Sequence, residues 1–350
     1  MLGGMSESLL VALIGFGGGV LLGLAARLGR FCTLGAIEDY LYQGSAVRLR
    51  LWFVAIGIAV LGCYGLAAAG TFDLSRNLYF QTPWSPLASV LGGLLFGYGM
   101  SIAGNCGFGA LARFGGGDFR SFVIVIVLGI SAYVMLSGPL APARVALVTA
   151  TELDLAVRGL PAILGQATGL DTVGIGLAAG AAITLAALAS RGMIADRVGI
   201  FWAVMVGLAI VTGWAGTHWV ADTGFSVQPV ESHTFAAPLG ETMIYLMTAS
   251  GGGLAFGVGS VFGVLAGAFC GSLVKGHFRW EACEDPRELK RQILGAVFMG
   301  FGAVLAMGCT IGQGISAFSV LALSAPVTFA AIFAGAALGL RQLIAGFASP

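Results

Sequence analysis

Charge is scarce in this sequence: Asp, Glu, Lys and Arg make up only 9% of its 350 residues, against about 25% in an ordinary soluble domain. With 58% of residues hydrophobic, too few ionic groups remain to coat a water-facing surface, which excludes a soluble globular class. The net charge is +1. Affinity for a phosphate backbone needs clustered Lys and Arg, so nucleic-acid binding is excluded as well. There are three histidines, and the six cysteines (Cys32, Cys63, Cys106, Cys270, Cys283 and Cys309) form no C-x-x-C pair and no metal-ligand spacing with them. A structural zinc site and a secreted disulfide framework are thereby removed, and no metal or cofactor is expected. The first apolar run has no basic segment before it and no small-residue cleavage site, so it reads as a retained span and not a signal peptide.

What is present is apolar length. Runs near 20 residues, the signal of a membrane-crossing helix, occur at about 8 to 26, 51 to 70, 88 to 104, 121 to 138, 171 to 190, 198 to 217, 243 to 271, 293 to 308 and 325 to 345. They predict an all-α membrane protein of about nine transmembrane helices. The 57 glycines are scattered through these runs instead of being collected in linkers, as suits helices that approach closely in lipid. The runs 88 to 104 and 293 to 308 are short, and each is followed by another Gly-rich apolar stretch. Such pairs predict broken or re-entrant helices lining a cavity.

Lys and Arg in the loops set orientation. With the N-terminus outside, the inner segments hold Arg27, Arg30, Arg48, Arg50, Arg113, Arg120, Arg191, Arg197, Lys275, Arg279, Arg287, Lys290, Arg291 and Arg341, and the outer ones only Arg76, Arg144 and Arg158. The expected topology is therefore N-terminus outside and C-terminus in the cytoplasm. The stretch from His218 to Glu241 carries no Lys or Arg and is assigned to the outside.

An internal repeat sharpens the picture. Gly92 to Gly109, GGLLFGYGMSIAGNCGFG, aligns without a gap to Gly295 to Gly312, GAVFMGFGAVLAMGCTIG, placing Cys106 against Cys309. A second pair, Gly19 to Cys32 and Gly257 to Cys270, ends in the same Phe-Cys. Two halves are expected, 1–190 and 191–350, as inverted repeats within one integral membrane domain. Their common site would lie near the bilayer midplane.

The chemistry concentrates in three cysteine motifs. In Gly104-Asn105-Cys106-Gly107-Phe108-Gly109, glycines let the backbone turn tightly and bare its N–H groups. The apolar run that follows would then present a helix N-terminus to an anion. Gly308-Cys309-Thr310-Ile311-Gly312-Gln313-Gly314 offers a similar cradle, with Thr310 and Gln313 as further donors. The residues expected to bind substrate are Gly104, Asn105, Gly107, Gly308, Thr310, Gly312 and Gln313. In Arg27-Leu28-Gly29-Arg30-Phe31-Cys32 the arginines serve as inside anchors, and Cys32 would form the cytoplasmic exit of a cysteine path. Cys63, Cys270 and Cys283 read as packing residues.

GRFCTLGAIED, GNCGFGALARFGGGDFR, MGCTIGQGISAFS and ESHTFAAPLGE closely resemble the YeeE/YedE family of bacterial membrane proteins. The resemblance spans essentially the whole chain. It implies thiosulfate uptake, an hourglass-shaped inverted-repeat fold with a positive outer concavity, and three essential cysteines, falling here on Cys32, Cys106 and Cys309. It also implies a small cytoplasmic TusA-like sulfurtransferase partner. Other members are linked to selenium or other sulfur compounds, which leaves the substrate open.

Thiosulfate is a dianion, and its water shell must be replaced inside the membrane. Backbone N–H groups can hold the sulfonate oxygens while a thiol donates weakly to the soft terminal sulfur. The expectation is a transporter and not an enzyme. Two alternatives stand beside it: a membrane-bound sulfurtransferase, which would release sulfite and leave a persulfide, and a Gly-rich channel or structural subunit indifferent to Cys replacement. The first lacks any His, Lys or carboxylate in the Cys106 and Cys309 motifs to act as base. No carboxylate is placed within a span, so passive uptake pulled by a partner and proton symport stay equally open.

Overall fold

The computed structural model describes residues 6–153, 158–225, 227–251, 253–282 and 285–346; Cys283 lies outside the described residues. Ser6 opens α1 (Glu7–Leu28), its hydroxyl accepting from the Leu9 amide at 3.3 Å, the side-chain cap that a helix start requires. A short turn leads to α2 (Thr33–Tyr42), and α3 (Val47–Ala68) follows. A polar loop holding α4 (Leu78–Gln81) precedes α5 (Pro86–Ala103), which begins on a Ser85 cap with Pro86 in the first turn. Then come α6 (Gly107–Gly115), α7 (Phe119–Leu136), α8 (Ala141–Thr151), α9 (Leu160–Thr168), α10 (Thr172–Leu188) and α11 (Arg191–Ala195). The chain continues through α12 (Arg197–Thr223), α13 (Ala237–Thr248), α14 (Phe256–Val274) and α15 (Pro286–Leu305), a π-helical turn at Gly312–Ala317, and α16 (Ser324–Ala345).

Among the described residues no strand forms, and seven helical stretches are long and apolar enough to cross a membrane. This is an all-α, multi-pass membrane protein. The expected span 243 to 271 is two helices, α13 and α14. The segment between them begins Ala249-Ser250 and contains three consecutive glycines, whose backbone entropy opposes helix. The run 293 to 308 is the later part of α15, whose first turns carry Arg287, Glu288, Lys290 and Arg291. Both expected interruptions are present: α5 and α6 are separated at residues 104–106, and α15 gives way to the π-helical turn across residues 306–311.

The two aligned Gly-rich helices, α5 and α15, pack against each other antiparallel. Gly92 meets Gly302 and Gly99 meets Gly295, so each helix presents the same pair of positions to its counterpart. The aligned Phe-Cys helices behave differently. In α1 and α14 the contacts climb together, Gly19 against Ser260 and Gly263, Gly23 against Val264 and Gly267, so this pair runs parallel. A two-fold axis in the membrane plane reverses helix direction, and α1 and α14 are therefore not counterparts under it. The order long, short, long, long, short, long recurs instead in α1, α2, α3, α5, α6, α7 and in α12, α13, α14, α15, the π-helical turn and α16.

The core holds several large aromatic side chains. Trp52, Trp214, Tyr64, Phe96, Phe108 and Phe235 are fully buried. Two of the three polar handles find partners: Trp214 Nε1 donates to Ser319 Oγ at 2.9 Å, and the Tyr64 hydroxyl to the Val320 carbonyl at 3.1 Å, as buried aromatics usually do, while Trp52 Nε1 has none. Part of the stretch assigned to the outside packs into the protein interior. Residues Ser232, His233, Phe235 and Ala236 descend into the core before α13 begins.

Candidate functional site

Each of the three cysteines follows, by two residues, a residue in the left-handed backbone region: Arg30 (φ 52°) before Cys32, Gly104 (φ 80°) before Cys106, Met307 (φ 56°) before Cys309. A left-handed residue stops a helix and turns the chain. At Arg30 and Met307 it costs on the order of 1–2 kcal/mol, because a side chain is present. Cys32 is the N-cap residue of α2 and Cys106 that of α6. Each thiol thus stands at the start of a new helical segment, where backbone N–H groups lack helical partners.

Cys106 is 1% exposed, and its Sγ accepts from the Gly109 N–H at 3.4 Å. Around it the sequence-distant motifs converge. Cys32 and Cys309 both lie within electrostatic reach of Cys106, and the Thr310 side chain neighbours its thiol. The Thr310 hydroxyl is fully buried and makes no hydrogen bond of ordinary geometry, so it remains available on the Cys106 side. Cys309 is equally buried, its Sγ 3.8 Å from Thr234 Oγ1. Cys32 is half-buried behind Phe31, which stacks on Trp52 with ring centroids 4.5 Å apart.

The expected binding residues divide into two groups. Gly104 and Asn105 line an open polar cavity of about 650 Å³ together with Cys32; Asn105 is 2% exposed and its Oδ1 has no partner. Gly107 begins α6 against Leu128 and Phe235. Gly312 sits beneath Tyr79 and Thr234, its carbonyl accepting from the Tyr79 hydroxyl at 2.8 Å. The other two donate elsewhere. The Gly308 N–H bonds the Ala303 carbonyl at 2.8 Å. The Gln313 amide donates to the Met307 carbonyl at 3.2 Å and accepts from Ser324 at 3.2 Å, which makes it a strut for the Cys309 turn.

Thr234 and Tyr79 were not anticipated. Thr234 belongs to the motif ESHTFAAPLGE, but lying between apolar runs it reads as outer loop; only the descent of residues 232–236 brings it to Cys309. His233 beside it is fully buried, its Nδ1 2.6 Å from Ser260 Oγ. A larger cavity of about 860 Å³ between α7, α13 and α14 is lined by Phe122, Val125, Leu239, Met243 and Val261, and such a lining offers an anion nothing in place of water.

The profile of a family described as sulphur transport matches residues 28–338. The chain belongs to this sulphur transport family, the YeeE/YedE family of the resemblance above. The matched range contains Cys32, Cys106 and Cys309 and every helix from α2 to α15. Among relatives within the family, the thiosulfate transporter TsuA of Escherichia coli (strain K12) is 28% identical over 321 residues, covering 85% of this chain and 84% of its own. The thiosulfate transporter TsuA of Spirochaeta thermophila is 23% identical over 319 residues, covering 87% and 91%.

Proposed function

We propose that this chain carries thiosulfate, or a similar small reduced-sulfur anion, across the bacterial inner membrane along Cys309, Cys106 and Cys32. The observation that carries the reading is that the Cys309 turn and the helix capped by Cys106 pack on the adjacent residues Thr234 and Phe235 while Cys32 shares a cavity with Gly104 and Asn105, each cysteine following a left-handed turn. Membership of the sulphur transport family and the names of the two relatives support the substrate. The N–H groups of the α6 start and the Thr310 hydroxyl would hold sulfonate oxygens, while the thiols would meet the terminal sulfur, an atom sulfate lacks. The antiparallel crossing of α5 and α15 supports two inverted halves, 1–190 and 191–350. By the distribution of Lys and Arg the N-terminus is periplasmic and the C-terminus cytoplasmic. A TusA-like sulfurtransferase would receive the anion at the cytoplasmic face.

The test is thiosulfate uptake by cells lacking their own carriers, comparing wild type with Cys32→Ala, Cys106→Ala and Cys309→Ala, with sulfate as competitor. The expected result is uptake lost in all three and unaffected by sulfate, with intact thiosulfate appearing inside. Uptake retained without Cys106 and Cys309 refutes the path. Sulfite release with a persulfide on one cysteine replaces transport by sulfurtransfer.

A further inference from the structure

The Arg-rich end of the molecule holds a concavity whose cations the cysteine path does not use. The cavity of about 650 Å³ beside Cys32 is lined by Arg27, Arg30, Arg48, Arg113 and Lys275, with Asn105 at its inner wall. Two carboxylates, Glu38 and Asp39, share it, Asp39 paired with Arg48 at 3.2 Å, and Glu281 and Asp118 act on Arg27 from outside the lining. Among the described residues, Arg27, Arg30, Arg113 and Lys275 enter no salt bridge. Like charges held this close repel unless something neutralises them. Lys275 records that crowding: partial burial first, then Arg30 and Arg27, hold its ammonium below the usual lysine range.

The cations are also positioned. Arg27 Nε donates to Ser272 Oγ at 2.7 Å, tying the end of α1 to α14. Lys275 Nζ donates to the carbonyls of Arg27 and Leu28 at 2.9 Å and 3.1 Å, closing the end of α1. Arg30 is set by a left-handed backbone that a residue with a side chain adopts only against strain. Arg113 comes from α6, the helix that Cys106 caps, and Asn105, 2% exposed with an unpartnered Oδ1, stands between that thiol and the cavity.

We infer that this cavity is a second anion-binding site, a station for a tetrahedral sulfur-oxygen dianion, held by Arg30 and Arg113 after it passes Cys106. Guanidinium forks recognise oxyanion oxygens and not a terminal sulfur. The station therefore admits thiosulfate and sulfate alike, and selectivity belongs to the thiols above it. Its place also departs from the family resemblance, which implied a positive concavity on the outer face. At the opposite end Arg76 is paired with Asp222, and Arg144 and Arg158 donate to backbone carbonyls.

The inference rests on the transport reading, so the experiment separates the two. The full chain is reconstituted in vesicles sorted by orientation, and thiosulfate half-saturation is measured from each face for wild type, Arg113→Gln, Arg30→Gln/Arg113→Gln and Arg30→Lys/Arg113→Lys. Removing one charge-assisted contact weakens binding about tenfold. Half-saturation at the Arg-rich face should rise roughly tenfold in the single variant and about 100-fold in the double Gln variant. The other face should stay near wild type, the Lys pair, which keeps the charge but not the fork, should recover only part of the loss, and sulfate should compete at the Arg-rich face. A monodisperse double Gln variant with unchanged half-saturation at that face overturns the inference. If wild type moves no thiosulfate from either face, the transport reading fails. Calorimetric titration of thiosulfate into the purified protein then decides: weaker binding in the double Gln variant upholds the station, and equal or no binding removes it.

Discussion

Gly99 in α5 and Gly295 in α15 meet backbone to backbone where the two helices cross. A Cβ added at Gly99 would stand 2.5 Å from the Gly295 carbonyl oxygen, 2.8 Å from Met299 N and 2.9 Å from Phe298 Cβ; one added at Gly295 would stand 2.6 Å from the Gly99 carbonyl oxygen. Ordinary contact begins near 3.4 Å, so Gly99→Ala forces the helices apart by about 1 Å. Overpacking of this kind costs about 1–3 kcal/mol, and the better helix propensity of Ala returns at most ~1 kcal/mol. The expected net loss is roughly 0–2 kcal/mol for either single variant, which places each about 1–3 kcal/mol below a variant that gains the propensity without the clash. Once the helices have parted for one methyl, the second enters the same gap, so Gly99→Ala/Gly295→Ala should lose about 1 kcal/mol less than the sum of the singles. Gly17→Ala is the control, since nothing lies within 4 Å of its added Cβ. Equilibrium unfolding in bicelles reads all four stabilities. Single variants indistinguishable from Gly17→Ala, or strictly additive losses, would refute the antiparallel contact and with it the case for inverted halves.

Two further outcomes follow from local geometry. Cys106→Ser keeps an N-cap side chain for the Gly109 N–H and places there a residue that caps better. Its thermal midpoint should therefore match wild type while thiosulfate uptake falls at least tenfold; uptake retained at half the wild-type rate would remove sulfur from the mechanism. In the loop before α4, Asp73 accepts from the Ser75 hydroxyl at 2.7 Å and its amide at 2.9 Å. Those bonds, the hydroxyl foremost, hold its carboxyl below the usual range. A depressed carboxylate stabilises fully above its unfolded value of about 3.9 and loses that contribution as pH falls through the lower folded value. Ser75→Ala should therefore be less stable than wild type at neutral pH, and the gap should narrow as pH falls through the depressed carboxyl's titration; a gap unchanged on acidification would contradict the assignment.

Composition and local pattern determined the class of this molecule. With 9% charged residues, only a membrane could accept its surface, and the apolar runs located α1, α3, α5, α7, α10 and α16 to within a few residues, whereas the run 243 to 271 covers two helices. The interruptions around Cys106 and Cys309 were legible because closely spaced glycines weaken a helix through short-range backbone entropy. Long-range contact decided the rest. The Phe-Cys match of α1 and α14 is as good in text as many true repeats, yet the helices run parallel, since a shared letter pattern carries no direction. Gln313 reads as a donor in a Gly-rich loop until its amide is seen to bridge Met307 and Ser324. Thr234 reads as outer loop until the chain folds inward to Cys309. The cations of the Arg-rich end read as topological anchors, and only the folding together of α1, α2, α3, α6 and α14 encloses them in one cavity. Helices are written in neighbouring residues, and the sequence could determine them alone; a site assembled from the ends of several helices depends on how those helices pack, which tertiary structure decides.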